Sequence, residues 1–187
     1  MKQVLISGKK VTLRTRTMED MPLLYNLIYG SEHPEWKQYD APYFPHEHRT
    51  YEQFLERWGT DFSSSELPDD LLIEVNGNIV GIVTYYWESQ ATRWLEGGIV
   101  IYSPDHWSGG YGTEALSLWV GFLFENLDIG RVGITTWSGN PRMMHCAEKV
   151  GMQLEGRMRK CRYYEGVYYD SIRMGITREE WDALHTI

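Results

Sequence analysis

Three stretches of this chain hold residue types that could do chemistry. The first is Trp107-Ser108-Gly109-Gly110-Tyr111-Gly112-Thr113. Three glycines in four residues strip side chains from the backbone and permit positive φ. Free N–H groups at such a turn, joined to a helix N-terminus, aim at one spot and favour an anion there. A pyrophosphate is the expected anion. A turn that only lets a helix and a strand pack closely carries the same signature. The second stretch, His46-Glu47-His48, suggests a metal, but zinc sites bring more ligands at recognisable spacing. Solvent-facing or capping histidines are therefore expected, and no metal. The third is Cys146, a candidate nucleophile. His145 beside it faces elsewhere on a helix, so a small buried residue is the expectation.

These residues need elements to position them. Trp94 to Tyr102 reads as a strand running into the glycine turn. Ala115, Leu116, Leu118, Trp119, Phe122 and Leu123 then recur at helical spacing, giving a helix over Thr113 to Asn126. Arg131 to Trp137 is the next strand, and a right-handed crossover through that helix makes it parallel to the one before. Asn140 with Pro141 opens a helix that Gly151 closes. Upstream, Lys10 to Arg14 reads as the first strand, and Thr17 with Asp20 starts a helix that Gly30 stops. Ser31 to Thr50 is a long loop rich in aromatics, prolines and histidines, of the kind that often binds. Tyr51 to Phe62 reads as a helix, and Ser63 to Glu66 as a loop. Leu71 to Val75 and Ile79 to Trp87 form a hairpin through Asn76-Gly77-Asn78, and Gln153 to Tyr164 and Val167 to Ile176 another around Glu165-Gly166. Thr177 with Glu180 caps a last helix. The expected fold is α/β (α+β), a mixed sheet with helices on both faces.

Composition bounds the partners. The 187 residues fit a single domain over 1–187. With 18 Lys and Arg against 26 Asp and Glu the net charge is −8, which excludes nucleic acid and anionic membranes as natural partners. Two cysteines make no disulfide scaffold, so a reducing, cytoplasmic setting is expected. Met1-Lys2-Gln3-Val4-Leu5-Ile6-Ser7 has no long apolar segment and no cleavage pattern, so no signal peptide is expected.

Three blocks, in order, resemble one family. The strand, the Trp107–Gly112 turn and its helix resemble the acyl-CoA signature of the GCN5-related N-acetyltransferases (GNAT). Asn140, then Glu148-Lys149, then Gly151-Met152 resembles the family's Asn-initiated helix. Leu154-Glu155-Gly156 to Arg159, with Glu165 to Asp170, looks like the tail of the RimJ/RimL-like ribosomal-protein and polyamine branches. The resemblance implies a mostly antiparallel sheet of about seven strands and acetyl-CoA as cosubstrate. It implies pantetheine pairing along Ile99, Val100 and Ile101, and pyrophosphate capture by Ser108, Gly109, Gly110, Tyr111, Gly112 and Thr113. Asn140 would lie near the pantetheine arm or the acceptor. Glu96, where the family often has a Glu, would be the base that frees the amine of its proton. It shares a strand face with Gly98 and Val100. The implied acceptor is a protein N-terminal amine, with a polyamine or other small amine as the alternative. A non-catalytic acyl-CoA-binding module is a further reading, and a homodimer is a candidate assembly.

Two departures stand out. Trp107 replaces the signature's leading Arg or Gln. Met143 and Ala147 occupy the places where relatives carry a Ser or Tyr that can donate a proton. Tyrosines of the last hairpin, Tyr163, Tyr164, Tyr168 and Tyr169, could replace that acid, although tyrosines alternating in a hairpin more often pack.

Overall fold

Two tight turns organise the sheet. Asn76 and Gly77 (φ 51° and 78°) and Glu165 and Gly166 (φ 49° and 80°) are consecutive left-handed pairs, the geometry that joins strands with matching twist. The computed structural model describes residues 3–59 and 67–185. The tail of the second predicted helix (60–62) and the Ser63–Glu66 loop lie outside the described residues.

Among the described residues eight strands form one sheet: β1 (Leu5–Ser7), β2 (Thr12–Arg14), β3 (Asp70–Val75), β4 (Asn78–Ser89), β5 (Trp94–Ile101), β6 (Arg131–Trp137), β7 (Gln153–Tyr164) and β8 (Val167–Thr177). Their order is β1-β2-β3-β4-β5-β6-β8-β7. The helices are α1 (Met21–Tyr29), α2 (Tyr51–Trp58), α3 (Tyr111–Asn126), α4 (Pro141–Val150) and α5 (Arg178–His185). None is long and apolar enough to cross a membrane. The fold is the expected mixed α/β sheet, with one strand more than the expected seven. The extra strand, β1, is only three residues long, too short to show a period. It pairs with β2, and the turn between them is held from α3, where the Glu114 carboxylate accepts from the backbone N–H groups of Lys9 (3.0 Å), Lys10 (2.6 Å) and Val11 (2.8 Å). Burial works against ionising Glu114, yet these donors leave its pKa lowered.

The helices pack on opposite faces. Trp119, Leu116 and Leu123 of α3 lie fully buried against Leu95, Val132 and Ile176. Met21 and Leu24 of α1 and Phe54 of α2 cover Leu72 and Ile82 on the other face. Thr50 caps α2 reciprocally with Gln53, and Asn140 caps α4 by accepting from Met143 N at 3.1 Å.

One irregularity makes the site. β5 pairs with β4 along its length, up to Ile101 opposite Gly81. Its parallel pairing with β6 covers only Leu95, Glu96 and Gly97, against Val132, Gly133 and Ile134. β6 meanwhile follows β8 as far as Trp137. From Gly98 onward the two parallel strands therefore diverge. The splay leaves one edge of Ile99, Val100 and Ile101 without a strand partner.

Candidate active site

The splay opens into a cavity of about 600 Å³. Its walls come from six places: β4, β5, the glycine turn, the end of β6 with α4, the aromatic loop before α2, and β7. Ile99, Val100 and Ile101 line it, as do Ser108, Gly110, Gly112, Thr113 and Asn140. Gly109 and Tyr111 belong to the same turn but not to the lining; Tyr111 packs on the core and on His106.

The turn has the geometry an anion needs. Ser108 and Gly110 are left-handed, at φ 63° and 81°, and Gly110 caps α3. Among the described residues none accepts a hydrogen bond from the N–H groups of Ser108 through Thr113. Six consecutive unpaired amides at a helix start make a strong anion cradle. Lys10 Nζ reaches over to bond the Gly109 carbonyl at 2.8 Å, placing a cation beside them. Trp107, the departure from the expected signature, donates its indole N–H to the Ile101 carbonyl at 2.9 Å and so ties the turn to the strand end. Since the cradle is made of main-chain amides, the lost Arg or Gln leaves it intact.

Asn140 uses its side chain twice inside the protein: Oδ1 caps α4, and Nδ2 donates to the Tyr39 carbonyl at 3.1 Å. Trp137 donates to the same carbonyl at 2.9 Å. Together they pin the aromatic loop over the mouth of the splay.

Glu96 is fully buried and sits behind the cavity rather than in its lining. Oε1 accepts from Trp94 Nε1 (2.9 Å) and Arg131 Nη1 (3.1 Å), with Arg173 Nη1 at 3.4 Å. Oε2 faces the Thr135 hydroxyl at 3.4 Å. Thr135 and Tyr86 both line the cavity, and Tyr86 stands directly opposite Glu96 in the β4–β5 register. Tyr86 lies close enough to Thr135 to influence it, and the Thr135 hydroxyl faces Glu96, so the three groups lie in sequence from the cavity to the carboxylate. Burial, then the nearby Glu96 and Glu88 charges, raises the Tyr86 pKa and keeps the phenol protonated. Tyr86 was missed in the sequence. Strand alternation gives its face, but only the cross-strand register shows that it meets Glu96.

The tyrosines of the last hairpin do not line the cavity. Tyr169 packs on Trp137 at 4.7 Å, and Tyr163 stacks near Tyr168 at 4.9 Å. Cys146 differs from the expected buried residue: it is only half-buried and lines the cavity. Burial raises its thiol pKa in spite of a bond to Thr113 and the charge of Lys149, which makes it a poor nucleophile. His46 bonds the Ile28 carbonyl at 3.1 Å and stacks on Tyr29. Among the described residues no group of three or more His, Cys, Asp or Glu could hold a metal ion.

A parallel pair that splays beside an amide-lined turn can hold an extended arm along one strand and its phosphates at a helix start. That is the architecture of an acyl-CoA-dependent transferase. Residues 10–153 match the family model of the acetyltransferase (GNAT) domain, and the chain belongs to that family. It is 26% identical over 184 residues to the SPbeta prophage-derived uncharacterized N-acetyltransferase YokL of Bacillus subtilis (strain 168), covering 96% of each chain. It is 26% identical over 139 residues to spermidine N(1)-acetyltransferase of Escherichia coli (strain K12), covering 72% of this chain and 73% of that one. Its fold matches the solved structure of RimL, a ribosomal L7/L12 alpha-N-protein acetyltransferase in complex with coenzyme A. The TM-score there is 0.75 at 17% identity, covering 93% of this chain and 98% of the other. The chain is an acetyl-CoA-dependent N-acetyltransferase.

Proposed function

We propose that the whole chain, as one domain over residues 1–187, moves acetyl from acetyl-CoA to a protein N-terminal amine by direct attack in a ternary complex. One observation carries the choice of acceptor. Among the described residues lining the cavity, Asp40 is the one carboxylate, against Arg142, Lys149 and Arg162. A polyamine brings several positive charges and would meet like charge here. A peptide N-terminus brings one, which it loses before attack.

In this reading the amides of Ser108 to Thr113 hold the pyrophosphate, and the free edge of Ile99 to Ile101 pairs the pantetheine amides. That fixes the thioester near Gly97 and Gly98, where the splay begins. The neutral amine attacks the carbonyl carbon, a C–N bond forms, and the C–S bond breaks as CoA leaves as thiolate. Holding both reactants does much of the work. The amine's proton passes along Thr135 to Glu96. Tyr86 stands ready to protonate the leaving sulfur, in place of the hydroxyls absent at Met143 and Ala147. The proposed setting is cytoplasmic, where thiols such as Cys146 and Cys161 stay reduced.

The test is thiol release from acetyl-CoA with a panel of N-terminal peptides, spermidine and an aminoglycoside. Turnover on peptides is expected. Turnover on spermidine alone would move the chain to the polyamine alternative favoured by the spermidine acetyltransferase relative. CoA binding without release on any amine would leave the non-catalytic module.

A further inference from the structure

Arg162 presents a guanidinium to the cavity that no described residue neutralises. Among the described residues no carboxylate lies within ion-pairing distance of it, and its Nε is buried without a hydrogen-bond partner. The head group lies 5.0 Å from the centre of the Tyr43 ring and 5.6 Å from that of Phe44. Its charge also acts on the Tyr43 hydroxyl, opposing the rise in pKa that burial gives that phenol. These contacts set the orientation of the fork and leave its charge unmet, and a buried donor without an acceptor is costly.

The backbone is built to place it. Regular pairing onward from Met158 opposite Ser171 would set Lys160 opposite Tyr169. Arg162 stands there instead, because the register shifts between the two. Asp170 holds that irregularity. Its carboxylate accepts from the backbone N–H of Lys160 (2.8 Å), which sits at φ 56°, and from Arg157 Nε (2.6 Å). Strand irregularities of this kind re-aim side chains beside active sites. The effect here is to offer a planar, bidentate fork where the regular strand would offer a lysine. β7 is three places from β5 in the sheet, so Arg162 belongs to the wall across the splay from the glycine turn and its phosphate cradle.

We infer that Arg162 receives a carboxylate of the acceptor itself, so that the preferred substrate is an N-terminal amine followed within a few residues by Asp or Glu. This rests on the acetyl-transfer reading above. Arg162 selects; it touches neither the thioester nor the amine.

Peptides differing only by Glu, Gln or Lys at the second and third positions, with spermidine alongside, test it. Each is assayed by thiol release with the native chain and with Arg162→Gln, Arg162→Lys and Arg162→Glu. The native chain is expected to favour the Glu peptide over the Gln peptide by about tenfold or more in kcat/KM, the scale of a charge-assisted bidentate contact. Arg162→Lys keeps part of that preference, and Arg162→Gln brings the ratio to about one. Arg162→Glu favours the Lys peptide. The KM for acetyl-CoA and the melting temperature stay unchanged throughout, which a merely structural role would not predict. Equal native rates on Glu and Gln peptides overturn the inference and leave acetyl transfer standing, as does a ratio that survives Arg162→Gln. Faster turnover of spermidine than of every peptide overturns both this inference and the proposed acceptor class.

Discussion

The two halves of the cavity are built from different material. In the proposed reading the cofactor half is backbone: six unpaired amides at the start of α3 and one free edge of β5. The acceptor half is side chains: Tyr43, Tyr86, Thr135, Trp137 and Arg162, drawn from four separate segments. Main-chain recognition tolerates side-chain change, which is why Trp107 can stand in place of an Arg or Gln. Side-chain recognition does not, so substitutions in the acceptor half should change what is acetylated, and those in the cofactor half whether acetyl-CoA binds at all.

The largest expected effect separates chemistry from both kinds of binding. Glu96→Gln should lower kcat by about 10²- to 10⁴-fold, the usual range for a general base, with KM for acetyl-CoA held. Steady-state kinetics checks this, and an unchanged kcat would move the base elsewhere. Because Arg131 and Arg173 both contact this carboxylate, the melting temperature should be measured alongside.

Gly110→Val attacks the cofactor half. Its left-handed φ of 81° costs a branched residue about 1–2 kcal/mol, and the new side chain crowds Lys10 Nζ. Acetyl-CoA affinity should weaken by about tenfold in calorimetry, with the acceptor preference unaltered. If acceptor choice shifts instead, the two halves are not independent.

Tyr86→Phe tests the acceptor half with a smaller effect, a loss in kcat of about tenfold or less, because a thiolate leaves with little help. In the native chain the raised Tyr86 pKa should carry the alkaline limb of the kcat profile above the ordinary phenol value, and the variant should lack that limb.

The smallest effect lies in the aromatic loop. Burial lowers the His46 pKa, against the opposing pull of the Ile28 carbonyl. The unfolded chain then takes up the proton first as pH falls below about 6.5, so the folded state loses stability on that side. Melting curves from pH 7.5 to 5.5 should show a steeper acid decline in the native chain than in His46→Phe.

The elements that frame the proposed cofactor half were legible beforehand. A glycine turn between an apolar strand and an amphipathic helix is a local pattern, and so are the Asn140-Pro141 cap and the two Gly-containing hairpins. β1 was not legible, because the turn that joins it to β2 is held by Glu114, more than a hundred residues away. Nor was Tyr86, whose meaning depends on the register opposite Glu96. The half-buried position of Cys146 at the cavity wall likewise depends on how α4 meets α3.

By itself the amino-acid order determined every strand and helix but β1, the parallel crossover and the turn whose amides could face an anion, since each follows from spacing within a few residues. Only the tertiary structure decided where β5 and β6 part, which groups surround Glu96, and that Arg162 enters the cavity with no described residue to neutralise it. Those outcomes depend on distant segments competing for the same space and the same hydrogen bonds, and no local pattern encodes that competition.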